Sequence, residues 1–161
     1  MTYRIGNGFD VHKFDETREL WLGGIKIEDH AGLAGHSDAD VLIHAIIDSL
    51  LGASCLGDIG EFFPDTDEKF KGISSVVLLE EVMKKFYGAG WQVENIDAVV
   101  ICETPKLLKY RDKIRSKLAQ IIGIGIDSIM VKGKTTEKLG FTGRGEGIAV
   151  TVTSLIKSET S

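Results

Sequence analysis

The stretch LAGHSDADVLIHAIIDSLLGA, residues 33–53, carries two patterns on one backbone. Val41, Leu42, Ile43, Ala45, Ile46, Ile47, Leu50 and Leu51 set apolar groups around almost the whole circumference of a helix, the pattern of a rod surrounded by protein. Ser37 and Asp40 form a Ser-x-x-Asp start and Gly52 is a stop signal, so the sequence predicts a buried helix from Ser37 to Gly52. Yet Asp40, His44 and Asp48 fall at i, i+4 and i+8 and stack along one line of that rod. Burying them without partners would cost a few kcal/mol for a neutral imidazole and more for a carboxylate. Something inside the fold must answer them.

The opening segment offers an answer. In GFDVHKF, residues 8–14, Asp10 and His12 are two apart, and a strand over residues 2–12 would turn both to the same face while Val11 takes the other. Asp10, His12 and His44 could then meet in a hydrogen-bonded core network, or they could hold a divalent metal, and spacing alone leaves both open. Two imidazoles and one carboxylate suit zinc with a fourth position free for substrate, which points to catalysis rather than a structural clamp. Asp48 or Asp40 would then accept a hydrogen bond from a ligand imidazole and orient it. His36 and Ser37, at the expected helix start, sit where backbone N–H groups attract an anion.

Around this pair the chain alternates strand-like and helix-like blocks with glycine-marked joints. WLGGIKI reads as a hairpin. Residues 75–87 read as a helix with Leu78, Leu79, Val82, Met83 and Phe86 inward and Glu80/Lys84 and Glu81/Lys85 paired outward. Trp91 to Glu103 is a strand broken by Thr104-Pro105, and Leu107 to Ile122 a helix with Leu107, Leu108, Ile114, Leu118 and Ile121 inward. Ile129–Lys132 and Ile148–Ile156 complete the strands. Helices backing one mixed sheet in an α+β, two-layer sandwich are the expectation, over a single domain spanning 1–161.

The bulk properties exclude several function classes. With 19 Lys+Arg against 24 Asp+Glu and a net charge of -5, the chain has no general basic footprint for nucleic acid, so a phosphate-bearing ligand must be held by local chemistry. No apolar run approaches the ~20 residues of a membrane span, and the N-terminal residues lack the apolar core of a signal peptide. A cytoplasmic protein is expected. Cys55 and Cys102 are too few for a disulfide framework and are read as core residues.

Two glycine-rich motifs fail on inspection. GKT at 133–135 lacks the P-loop glycine five positions earlier, which is Ser128, and GRGEG at 143–147 places Ile148 where GxGxxG needs glycine. What remains is a strand end running into Thr135, Thr136 and Glu137, groups able to meet phosphate oxygens or a hard cation. The block LGDIGEFFPDTDEKFKG, 56–72, reads as a long polar loop of the kind that covers a site.

Together RIGNGFDVHKF, LAGHSDADVLIHAIIDSLLGA, LGDIGEFFPDTDEKFKG, TPKLL and KTTEKLGFTGRGEGIA resemble, in order and over nearly the whole chain, the 2-C-methyl-D-erythritol 2,4-cyclodiphosphate synthase family. The resemblance implies a homotrimer of ferredoxin-like subunits with active sites between neighbours, acting on 4-diphosphocytidyl-2-C-methyl-D-erythritol 2-phosphate with release of CMP. It implies one zinc ion per subunit on Asp10, His12 and His44. His36 and Ser37 would meet the phosphates, Asp58 and the Gly60 backbone the erythritol hydroxyls, and Phe63, Asp65 and Lys71 would belong to a loop closing over that moiety. Cys102, Thr104, Pro105, Lys106, Leu107, Leu108 and Gly133 would line the cytidine pocket. Thr135, with His36, would act on the diphosphate, Thr136 and Phe141 would touch substrate, and Glu137 would hold a magnesium or manganese ion through the diphosphate. Phe9 and Arg144 match positions near the trimer axis, Arg144 also within reach of substrate. The implied location is the bacterial cytoplasm, or a plastid for a processed form. The same three metal ligands would equally serve a phosphoesterase that activates water, or a non-catalytic binding protein.

Overall fold

A computed structural model describes residues 1–159. Strand β1 (Thr2–Asp15) is the longest element of the sheet and runs antiparallel to β7 (Gly147–Ser158) over twelve residue pairs, from Thr2 opposite Ser158 to Lys13 opposite Gly147. β7 pairs antiparallel with β5 (Gln92–Ile101), and β5 pairs parallel with β6 (Ile129–Lys134). A two-residue strand, β4 (Gly32–Leu33), closes the other edge, giving the order β4-β1-β7-β5-β6. The hairpin read from WLGGIKI is present as β2 (Leu20–Leu22) and β3 (Ile25–Ile27), a separate two-stranded ribbon.

Three helices build the core together with the sheet: α1 (Val41–Ser54), α3 (Ser75–Gly88) and α4 (Arg111–Ile122). Helix α1 is apolar on nearly every side, and Leu42, Ile43, Ile46, Ile47, Leu50 and Leu51 have no exposed surface. Short helices α2 (Ile59–Phe62) and α5 (Gly140–Gly143), with a 3-10 turn at Glu68–Phe70, lie within segments the sequence reads as loops. The architecture is α+β, a five-stranded mixed sheet with helices, as the alternating blocks predict.

Several boundaries differ from expectation for local reasons. Helix α1 begins at Val41, because the Asp40 side chain, not that of Ser37, accepts the Ile43 N–H and caps it. It also runs through Gly52 and ends at Cys55, whose backbone takes the left-handed conformation. Cys55 is exposed rather than in the core, while Cys102 is buried as expected. Leu107–Lys109 is a separate 3-10 turn, and Leu108 is 72% exposed instead of facing inward. On α3 the ion pair formed is Glu81–Lys84, spaced i,i+3 instead of the expected i,i+4, while Lys85 lies over the Phe62 ring.

The packing of α1 on β1 sets the position of everything near it. Gly6 and Gly8 face the helix with no side chain, and a Cβ built there would lie 1.8 Å from the Ser49 carbonyl oxygen and 1.9 Å from that of Ala45. Backbone therefore touches backbone. On the opposite face of β1, Tyr3, Ile5, Phe9 and Val11 are exposed, so one side of the sheet carries apolar groups toward solvent.

Gly8→Ala is expected to remove at least about 3 kcal/mol of stability, the upper end for overpacking against a rigid neighbour. Gly52→Ala, which meets nothing within 4 Å in the helix, is expected to be neutral or to add up to about 1 kcal/mol. Urea unfolding of both variants against the parent checks the contrast.

Candidate metal centre and nucleotide pocket

Beyond Gly6 and Gly8 on the same face of β1 come Asp10 and His12, and the close approach of α1 brings His44 down onto them. Asp10 Oδ2 lies 3.0 Å from His12 Nε2 and 3.1 Å from His44 Nδ1, and the two nitrogens are 3.2 Å apart. These three atoms form a nearly equilateral triangle. Donors about 2.0–2.1 Å from one ion stand about 3.0–3.4 Å apart on an octahedral or tetrahedral face, so the spacing fits a small dication. Two imidazoles in the set favour a transition-type ion over magnesium or calcium.

Proton positions point the same way. His12 Nδ1 lies 2.6 Å from the Ala34 carbonyl oxygen, which can only accept, so Nδ1 carries a proton, and Nε2 is the nitrogen whose lone pair a neutral ring offers to a metal. Burial works against charging His12, but the Asp10 carboxylate outweighs it and raises the imidazole pKa. Burial likewise opposes ionisation of Asp10, yet its contacts with His12 and His44 hold it well below the usual carboxylate range. One carboxylate oxygen and two ring nitrogens converging within 3.2 Å of one another are arranged to share a cation. Among the described residues, Asp10, His12 and His44 are the group placed to hold a metal.

The cluster forms the floor of a cavity of about 400 Å³, whose walls include His36, Ser37, Gly60, Phe63 and Asp65, all expected at the site. Gly35, Ile59, Pro64, Thr66, Phe70 and Leu78 complete it, and the sequence reading missed these. Arg18, also missed, donates to the Gly35 and Ser37 carbonyls and fixes the bend before α1. His36 ties down the 62–72 loop from both ends of its own residue. Its Nε2 is 3.1 Å from the Asp67 carbonyl, and its backbone oxygen accepts from Gly72 N–H at 2.7 Å. The Phe63 and Phe70 rings meet edge to face, 5.2 Å apart, inside that loop.

The remaining acidic groups are engaged elsewhere. Asp40, expected to orient an imidazole, is fully buried and accepts instead from Gly23 N–H, Gly24 N–H and Ile43 N–H at 2.8–3.0 Å, joining the hairpin turn to α1. Burial pushes its pKa up against those three donors. Asp48 accepts from Ile59 N–H at 2.8 Å, and burial pushes its pKa up too. Asp58 caps α2 through Glu61 N–H, and Lys71 pairs with Glu68 at 3.7 Å; neither lines the cavity.

A second cavity of about 280 Å³ gathers Cys102, Pro105, Lys106, Leu107, Leu108, Gly133 and Thr135 at the ends of β5 and β6. Arg111 and Lys134 also line it, so three cations and no carboxylate face this space. Thr104 sits just outside, 2.9 Å from His30 Nε2, and its bond to Pro105 is cis. Thr135 donates to Glu137 at 3.3 Å, Thr136 Oγ1 reaches Leu139 O and Thr142 Oγ1, and Arg144 pairs with Glu146, while Phe141 is part-exposed. No lining residue is common to the two cavities within one chain.

An α+β sheet carrying a carboxylate–bis-imidazole cluster at a cavity of mixed polar and apolar lining, with a cationic pocket elsewhere, is an arrangement able to hold a metal ion and an anionic ligand. The chain belongs to the YgbB family, whose model matches residues 3–157. The 2-C-methyl-D-erythritol 2,4-cyclodiphosphate synthase of Rubrobacter xylanophilus is 52% identical over 158 residues, 96% of this chain and 95% of that one. Its counterpart in Pseudomonas savastanoi is 51% identical over 153 residues, 95% of this chain and 98% of that one. Among solved structures, IspF of Plasmodium falciparum in complex with CDP superposes with a TM-score of 0.85 at 35% identity, covering 98% of this chain and 97% of that one. The bifunctional IspDF of Campylobacter jejuni gives 0.94 at 45% identity, covering 98% of this chain and 42% of that one. No helix among the described residues is long and apolar enough to cross a membrane.

Asp40→Ala would strand three backbone donors, two of them far in sequence from the third. A loss of about 3 kcal/mol is expected, measured by chemical unfolding.

Proposed function

We infer that this chain catalyses ring closure of 4-diphosphocytidyl-2-C-methyl-D-erythritol 2-phosphate to 2-C-methyl-D-erythritol 2,4-cyclodiphosphate, releasing CMP, in the non-mevalonate route to isoprenoid precursors. The observation that carries it is the Asp10–His12–His44 triangle lining a cavity of about 400 Å³, in a chain about half identical to enzymes of that name. CDP in a solved relative supports a nucleotide in the second cavity.

Asp10, His12 and His44 hold zinc in this reading. His36 and Ser37 meet the phosphates, Asp58 and the Gly60 backbone the erythritol hydroxyls, and Phe63, Asp65 and Lys71 belong to the covering loop. Cytidine lies among Cys102, Thr104, Pro105, Lys106, Leu107, Leu108 and Gly133. Thr135 and Thr136 serve the diphosphate, Glu137 takes a magnesium or manganese ion through it, and Phe141 and Arg144 complete the substrate contacts. One substrate must reach both cavities, and the two share no wall in a single chain, which supports active sites assembled between neighbouring copies. The exposed Tyr3, Ile5, Phe9 and Val11 supply a sheet face for a homotrimer to cover. β7 lies between the parallel strands β1 and β5, which are joined through α1 and α3; this split β-α-β unit supports a ferredoxin-like subunit, a single domain over 1–161. Bacterial relatives favour a cytoplasmic setting.

The reaction brings one phosphate oxygen onto another phosphorus of the same molecule. Two unit charges ~4 Å apart repel by about 4 kcal/mol at an effective dielectric near 20, worth nearly three powers of ten in rate. The bound dications supply positive charge against these oxygens. His36 and Ser37 orient the phosphate, and the loop tied by His36 excludes water while keeping the substrate folded back, which makes the attack intramolecular. No protein nucleophile is needed. Burial pushes the Cys102 thiol up to about 11, so it stays protonated beside the pocket. A phosphate already ionised at neutral pH needs no general base.

Incubation with the diphosphocytidyl substrate is expected to give cyclic diphosphate and CMP in equal amounts; a linear product would mark a phosphoesterase instead. Asp10→Asn should lower bound zinc and turnover together, turnover by at least about 100-fold, and full activity with retained zinc would refute the ligand assignment. The solution mass is expected at three times 17.6 kDa.

A further inference from the structure

We infer that Ser75, held by Asp38, is a positioning residue that fixes the tautomer of His44 and so presents its Nδ1 lone pair to the metal. This rests on the reading of Asp10, His12 and His44 as the metal site. Ser75 is the first residue of α3, 31 positions beyond His44, and has no exposed surface. Its Oγ lies 3.0 Å from His44 Nε2. The same hydroxyl donates to Asp38 Oδ1, while Ser75 N–H donates to Asp38 Oδ2 at 3.0 Å, so one carboxylate grips both polar groups of the residue.

The direction of each bond follows from what each atom can do. An ionised carboxylate only accepts, so the single hydroxyl proton of Ser75 points at Asp38. Its lone pairs are then left facing His44, and Nε2 must bring the proton. In the neutral imidazole that a metal ligand must be, this places the one N–H on Nε2 and leaves Nδ1 bare, aimed at the centre of the triangle. Ser37 Oγ is also near Nε2, at 3.2 Å, but its proton is not committed to a carboxylate, so it can turn either way and does not settle the tautomer. With Ser75 setting the ring, the Ser37 hydroxyl stays free to serve a phosphate. His12 is fixed by a backbone carbonyl and His44 by a side chain from another helix, which makes the second the one a single substitution can reach.

Ring-nitrogen chemical shifts by heteronuclear NMR on the metal-free protein, and zinc affinity by competition with a chelator, test it. The wild-type His44 is expected as the Nε2–H tautomer. Ser75→Ala should give a mixed population and bind zinc about 10–100-fold more weakly, and Ser75→Thr, which keeps the hydroxyl, should restore most of the affinity. An Nδ1–H tautomer in the wild type, or unchanged zinc affinity in a folded Ser75→Ala, would overturn the assignment. Should Ser75→Ala fail to fold, the wild-type spectrum still decides. If the wild type binds no zinc, the metal reading falls while the tautomer continues to test the relay.

Discussion

The contact between β1 and α1 is a contact of main chain on main chain, and the site depends on it. Side chains normally hold a helix about 10 Å from a sheet. Here Gly6 and Gly8 remove that spacer, and the carbonyls of Ser49 and Ala45 occupy the room that Cβ atoms would need. The approach is what lets His44, adjacent to Ala45 on α1, reach Asp10 and His12, the next two same-face positions beyond Gly8 on β1. With an ordinary spacing the same three residues would face one another across a gap, and their nearly equilateral triangle of 3.0–3.2 Å would not form.

Around that contact the acidic residues divide their work. Asp38, Asp40, Asp48 and Asp58 each accept from backbone N–H groups, and those donors lie on the hairpin turn, α1, α2 and α3. Asp38, Asp40 and Asp48 fasten separate pieces of chain to α1 and the residues entering it, while Asp58 caps its own short helix. Asp10 differs: Oδ1 takes the neighbouring Val11 N–H, and Oδ2 is turned to the imidazoles. These carboxylates serve the backbone, and what distinguishes Asp10 is the pair of rings beside it.

Much of this was legible in the sequence because it obeys simple periodicity. The two-residue repeat puts Asp10 and His12 on one face of β1, and the all-round apolar pattern of 41–51 marks α1 as buried, so His44 had to find a polar partner inside. The roles of Asp40 and Ser37 were not legible in the same way. Both are good capping residues three apart, and the choice between them is made by the Gly23-Gly24 turn, which arrives from elsewhere in the chain and hydrogen-bonds to Asp40. Leu108 was misplaced for a related reason: helical periodicity was carried back across a 3-10 turn, where the repeat is different. Ser75 gave no signal beyond a helix start, because its link to His44 joins residues that are remote in sequence.

β1 carries two incompatible faces in strict alternation, ligands and glycines on one side, Tyr3, Ile5, Phe9 and Val11 on the other. Because that alternation has a period of two, a single inserted or deleted residue between Gly6 and His12 would turn the strand inside out, driving Phe9 into the space reserved for backbone and the carboxylate out to the far side. Point substitutions on the outer face leave this frame intact, whereas length changes do not. The outer face of the strand can therefore drift in composition over time, but the strand is locked in length.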